Sequence, residues 1–130
     1  FLDHLQGYYH DDLSSLLSRD CGSLRGELLG IYGIGEETAD VILLYAAGKT
    51  SFVIDVYTRR ILTRLGLGPR RESYKHYQQL VESQLPVNVD LYKEYHALLV
   101  CHDKEACRTV PQCSRCCLRN ICPVGIKKAS

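Results

Sequence analysis

Methionine and tryptophan are both missing from this 130-residue chain, and the first residue is Phe1. A translation product starts with methionine, so the sequence reads as a fragment or a processed form, with part of any active site lying elsewhere. Long apolar runs are missing too. The longest, Val41–Ala47, falls far short of the ~20 residues that cross a bilayer, and the sequence reads as carrying no signal peptide. No strand-like alternation, internal repeat or low-complexity tract stands out. The expected class is therefore all-α, on a chain long enough to bury a real core. Acidic residues stop at Glu105, beyond which the charges are Arg108, Arg115, Arg119, Lys127 and Lys128.

That last absence exposes an asymmetry that the overall charge of +1 conceals. Residues 1–55 carry nine acids and three bases, net −6, which leaves +7 on the remainder. A basic half can bind phosphates while the whole molecule stays near neutral, and a solvated basic tail is the plainer alternative.

Cysteine, by contrast, is plentiful. Four of the seven are spaced Cys107-x5-Cys113-x2-Cys116-x5-Cys122. One tight loop can wrap four thiolates around an inorganic centre. These gaps suit a cuboidal [4Fe–4S] cluster, whose four iron corners are ligated separately. Structural zinc prefers two short-spaced pairs, of which only Cys113 and Cys116 form one, so zinc stays as the alternative. Cys21 and Cys101 fall in helix-like stretches and Cys117 adjoins Cys116, an arrangement unlike a secreted disulfide framework.

Helical punctuation covers the rest. Residues 1–9 read as a helix with Leu2, Leu5 and Tyr9 on one face. Asp11 or Asp12 caps a short helix through Leu17, and Ser23 is the expected cap of a helix over Leu24–Ile31, with Glu27 near its first turn. Glu36–Ala47 follows with Ala39, Ile42, Leu43 and Ala46 on one face, and Gly48 ends it. Thr50–Ile54 is extended. Asp55 sits at the N-cap of Val56–Leu65, whose Arg59, Arg60 and Arg64 form a basic exposed side. Ser73 caps a helix to about Leu85, closed by Pro86, and Asp90 caps one to about His102. The cysteine loop has no regular period. The expected organisation is a helical domain over 1–103, containing a hairpin at 24–47 and the Asp55 helix at 55–65, then a cluster loop at 104–125 and a tail at 126–130.

The turn Gly33-Ile34-Gly35 joins two of these helices. Glycine at 33 and 35 permits positive φ and close backbone approach, and Ile34 plugs the turn into the core. Amides at the start of the second helix then face outward as an anion site suited to a phosphate. An ordinary helix–helix turn with convenient glycines remains open at this point.

Together, the string over residues 28–67, LLGIYGIGEETADVILLYAAGKTSFVIDVYTRRILTRLGL, and the four-cysteine loop resemble the helix-hairpin-helix DNA glycosylases of the endonuclease III superfamily. Hairpin, aspartate and cysteines occur in that family's order and at about its distances, over residues 1–125. The resemblance implies base-excision repair, with Asp55 catalytic. It also implies DNA contacts from Gly33, Ile34, Gly35 and Thr38, a [4Fe–4S] cluster on Cys107, Cys113, Cys116 and Cys122, and phosphate contacts from Arg115 and Arg119. The partner implied is double-stranded DNA with a damaged or mismatched base, with no membrane, in the cytoplasm and associated with the nucleoid. A dimer of the fragment is a further expectation.

Bifunctional members place a lysine two residues after the second glycine, where this chain has Glu37. A carboxylate forms no Schiff base. The resemblance therefore points to a monofunctional glycosylase, with an alkylated purine as the candidate base. A bifunctional glycosylase/AP lyase, a non-catalytic DNA-binding module and a ferredoxin-like electron carrier are the alternatives. Tyr32, Tyr45 and Tyr57 are candidate pocket walls, and His96 reads as a packed or hydrogen-bonded histidine.

Overall fold

The structure, a computed structural model, describes residues 1–129. Among these every regular element is helical, and no helix is long and apolar enough to cross a membrane. The chain divides into two compact units. The first is Phe1–Val53 with Pro86–Lys93, and the second is Ile54–Leu85 with the chain from Glu94 onward. The expected split at residue 103 differs from this division.

The first unit contains α1 (Leu2–Tyr9), α2 (Leu13–Leu17), α3 (Cys21–Leu29) and α4 (Glu36–Val41). Its core is Leu5, Leu16, Leu24, Leu28, Ala39 and Leu43, with Ile31, Ile34 and Ile42 packed against it. Each fully buried leucine contributes about 1.5–3 kcal/mol. Two caps fall as aspartates before short helices: Asp12 accepts from the Ser15 amide and Asp20 from the Ser23 amide. Ser23 is thus not the expected cap but a residue of the first turn. The helix starts three residues earlier, because Cys21 belongs to its half-buried face. Glu27 is correspondingly displaced from the first turn. It accepts from Tyr9 Oη at 2.7 Å and His4 Nε2 at 2.8 Å, and pairs with Arg19.

α4 does not continue as regular helix to Ala47. It passes into a π-helical stretch over Ile42–Ala46. The wider turn inserts one extra residue per bulge, which rotates the following side chains. Leu44 is buried and the expected Ala46 is exposed. Gly48, at φ 64°, ends the stretch in the left-handed region as expected. In the extended segment that follows, Phe52 packs edge-on against Tyr92 with centroids 5.5 Å apart.

The second unit holds α5 (Val56–Arg64), α6 (Tyr74–Gln84), the later residues of α7 (Val89–His102), and α8 (Pro123–Ala129). Ser73 caps α6 as expected. α7 is capped by Asn88, whose side chain accepts from the Leu91 amide at 2.9 Å, and not by Asp90, which lies in the first turn. Ile54, Ile61, Tyr74 and Tyr77 are buried here. Tyr77 Oη and Thr63 Oγ1 share a 2.8 Å hydrogen bond.

The cysteine region is more structured than its lack of period suggests. It contains a π-helical turn at Asp103–Cys107, a 3₁₀ turn at Cys113–Arg115, and α8. α8 spans the end of the expected loop and the start of the expected tail, and Ser130 lies outside the described residues. Gly125 is needed where α8 meets the loop. A Cβ there would stand 2.6 Å from the Arg119 carbonyl oxygen and 2.7 Å from its Cα.

Candidate functional site

The hairpin belongs to the first unit. Gly33 has φ 88°, the left-handed region that glycine enters without cost. Gly35 is the N-cap residue of α4 and offers no side-chain acceptor to the amides that follow. Gly33, Gly35 and Thr38 are exposed, while Ile34 is half-buried against the core, the plug role its position predicts. A buried carboxylate holds the two helices of the hairpin. Asp40 on α4 accepts from Arg25 Nε on α3 at 3.0 Å and from Ser51 Oγ at 2.5 Å. A fully buried aspartate is tolerated because its oxygens meet a guanidinium and a hydroxyl. The resulting turn presents backbone amides at the start of a helix, which suits an anion.

Asp55 belongs to the second unit and is 6% exposed. The Ile54 amide just before it donates to Tyr74 Oη at 3.2 Å, which fixes the backbone entering α5. Asp55 Oδ1 accepts from the Thr58 amide at 2.8 Å, the expected capping bond. Its other oxygen meets His96 Nε2 at 2.9 Å. Burial pushes the Asp55 carboxyl up, but the hydrogen bonds from His96 and the Thr58 amide outweigh it and hold the group below its usual value. Asp55 is therefore ionised at neutral pH. An ionised carboxylate only accepts, so the proton it shares with His96 resides on Nε2.

Tyr57 follows Asp55 by two residues, in the first turn of α5. Tyr57 is half-buried, with Lys104 Nζ 5.7 Å from its ring centroid. The other two candidate tyrosines lie in the first unit. Tyr32 is fully exposed at the hairpin turn, and Tyr45 is 42% exposed, 5.8 Å below Lys93 Nζ.

Cys107, Cys113, Cys116 and Cys122 all line one apolar cavity in the second unit, together with Ile61, Leu65, Ala106 and Leu118. Among the described residues no three His, Cys, Asp or Glu side chains form a group suited to a single metal ion. A cuboidal cluster makes no such demand, since each cysteine binds its own corner. Four half-buried thiols around a shared apolar cavity fit that group. Burial pushes the Cys107 thiol up, with the Arg64 guanidinium opposing. The Leu118 amide donates to Cys116 Sγ at 3.4 Å, and His102 Nε2 lies 3.5 Å from the same sulfur.

The basic side expected on α5 is engaged inside the unit. Arg60 pairs with buried Asp103 at 2.6 Å. Arg64 donates from Nη1 to the carbonyls of Cys107 (2.8 Å) and Arg108 (2.6 Å), and from Nη2 to that of Thr109 (2.9 Å). It also reaches Cys107 Sγ at 3.2 Å. Arg59 stacks over Tyr77. Their partners lie 18 to 45 residues away in sequence, so no local pattern announced them. Arg115 and Arg119 are exposed on the cysteine loop, where Arg115 Nη1 donates to Gln112 Oε1 and Arg119 Nη1 to the Ser114 carbonyl, each at 3.3 Å.

No family model matches the chain. Individual relatives do. The chain is 41% identical over 118 residues to "Putative DNA repair glycosylase MJ1434" of Methanocaldococcus jannaschii, covering 91% of this chain and 54% of that protein. It is 34% identical over 113 residues to an endonuclease III of Sulfolobus acidocaldarius, covering 86% and 50%. Among solved structures, a non-covalent endonuclease III–DNA complex superposes with a TM-score of 0.80 at 24% identity, over 98% of this chain and 55% of that one. The chain thus spans about half the length of the relatives it matches, and the structural likeness establishes the all-helical fold.

Proposed function

We propose that this chain, which belongs to the helix-hairpin-helix DNA glycosylase superfamily of endonuclease III type, serves a whole protein that excises a damaged or mismatched base from double-stranded DNA. One observation carries this reading: Asp55 is buried, ionised and held at both oxygens. A cap alone needs only one oxygen.

The chemistry follows from the charge. Breaking the N-glycosidic bond sends its electron pair to the departing base and leaves an oxocarbenium-like sugar, as in glycoside hydrolysis. A fixed carboxylate stabilises that cation more than it stabilises the neutral ground state. Water then adds at C1′ and loses a proton, leaving an abasic site. The target nucleotide leaves the stack to reach such a group, and Tyr57, two residues beyond Asp55, is a face on which it can lie.

Glu37 occupies the position where a Schiff-base lysine would act and is exposed in the first turn of α4. The reaction is therefore monofunctional, with water as the nucleophile. An alkylated purine is the substrate we favour, because a cationic base departs readily and aromatic stacking selects it. The hairpin amides of Gly33–Gly35 and Thr38 grip a backbone phosphate, with Arg115 and Arg119 adding phosphate contacts from the cysteine loop. Cys107, Cys113, Cys116 and Cys122 hold a [4Fe–4S] cluster whose contribution is structural: it supplies the cross-links of a loop that has little core of its own.

The test is excision by the whole protein on a panel of alkylated, oxidised and mismatched duplexes. Asp55→Asn should lower single-turnover excision by about 10²–10³-fold or more while DNA affinity is kept, and borohydride should trap no covalent complex on abasic DNA. Excision undiminished in Asp55→Asn overturns the catalytic assignment. Efficient trapping overturns the monofunctional one. Binding without excision of any duplex favours a non-catalytic module.

A further inference from the structure

We infer that His96 is the positioning residue for Asp55, donating from Nε2–H to Oδ2 so that the carboxylate stays fixed toward the reacting sugar. This rests on the reading of Asp55 given above and assigns the residue on which that reading depends.

The two groups are 41 residues apart in sequence and 2.9 Å apart in space. Both are mostly enclosed, with side-chain exposures of 17% and 7% for His96 and Asp55. The geometry separates two jobs that one oxygen could not perform together. Oδ1 is committed to the start of α5 through the Thr58 amide. With that bond alone the second oxygen can swing about the Cβ–Cγ bond. The imidazole on α7 removes this freedom, and its rigid ring has fewer rotamers to lose than a lysine in the same place. A carboxylate that must face a developing cation gains most from such fixing, since misplacement by about 1 Å costs on the order of 10²-fold in rate. His96 does not contact the sugar in this account. It acts through Asp55.

A histidine that merely packs would also lower stability when removed, so the experiment must separate the two roles. In the whole, cluster-loaded protein, His96→Leu removes the donor and keeps most of the volume. His96→Gln supplies an amide nitrogen near the position of Nε2 and cannot carry a positive charge. Single-turnover excision should fall by about ten- to a hundredfold in His96→Leu. Affinity for a duplex carrying a tetrahydrofuran abasic analogue should stay within about twofold, and His96→Gln should recover most of the lost rate. Unfolding midpoint and cluster absorbance, measured on both variants, show whether each is folded. An independent reading uses ¹⁵N shifts of the wild-type imidazole at neutral pH, where the proton is expected on Nε2.

A proton on Nδ1 alone, with Nε2 bare, overturns the inference whatever the kinetics. So does a folded His96→Gln as slow as His96→Leu, or a folded His96→Leu with unchanged excision. Asp55→Asn run in parallel keeps the two readings apart. If Asp55→Asn is inactive and His96→Leu is not, only the positioning role fails. If Asp55→Asn is active, the assignment beneath it fails.

Discussion

The first unit is held by leucine and the cysteine-rich end of the second by arginine. In the first, six buried apolar residues from α1, α2, α3, α4 and the π-helical stretch make one core, and buried Asp40, paired with Arg25 and Ser51, ties the hairpin. In the second, the chain beyond His102 buries few side chains, chiefly Asp103 and Ala106. It is fastened by Arg60 to Asp103 and by Arg64 to three carbonyls, and it sets four thiols around one cavity. Non-directional burial tolerates small changes, whereas a few directional links fail one at a time. The apolar unit carries the Gly33–Gly35 turn, and the polar unit carries Asp55.

The difference should be largest when the iron of the proposed cluster is withdrawn. Chelation of the cluster, or Cys113→Ser with Cys122→Ser, should strip amide-exchange protection from the stretch between Asp103 and α8. α1, α3 and α4 should keep theirs, because their core includes no cysteine-loop residue. Equal loss in both units would break the comparison. Unchanged protection in the loop would show that its fold needs no inorganic centre.

A matched pair of substitutions sharpens it at lower energy. Leu24 is fully buried, and Leu24→Ala should cost about 2–5 kcal/mol, read as faster exchange in α3 and α4. Arg64→Leu should cost less, about 1–3 kcal/mol, since Arg108 and Thr109 are exposed residues at which water can replace the guanidinium. Its signature is local: faster exchange at 107–110 and quicker loss of cluster absorbance, with the hairpin unaffected.

The same contrast governs what the sequence makes legible. Leucine periodicity, the Gly33 and Gly35 turn, the caps at Asp55 and Ser73 and the cysteine spacing are local, and each appears in the structure where its pattern puts it. Local patterns mislead where two candidates compete. Asp20 caps α3 in place of Ser23 because Cys21 packs as an apolar residue, a role its thiol chemistry disguised. After the π-helical stretch Ala47 and not Ala46 packs on the core, a one-residue change of phase that a fixed 3.6 period cannot register. What stays hidden is long-range and polar. Arg60, Arg64 and His96 find partners 41 to 45 residues away. Nothing in a window around any of them separates a solvated charge or a packed imidazole from a link in the site.

Caps provide the smallest expected effect and the control for the others. Asn88 starts α7 in the first unit, where its side chain accepts from the Leu91 amide at 2.9 Å. Ser73 starts α6 in the second, accepting from the His76 amide at 3.3 Å. Both bonds satisfy a first-turn amide that otherwise has no intrahelical partner. Alanine at either position should cost about 1 kcal/mol, with Ser73 toward the low end because its bond is longer. A cap depends on its own turn and not on how the surrounding unit is held, so the two losses should be alike in denaturant midpoint, and exchange should quicken only within the first turn of each helix. Should Ser73→Ala instead loosen the whole second unit while Asn88→Ala frays a single turn, the polar unit would be one cooperative network, and Arg64→Leu would then be expected to exceed Leu24→Ala.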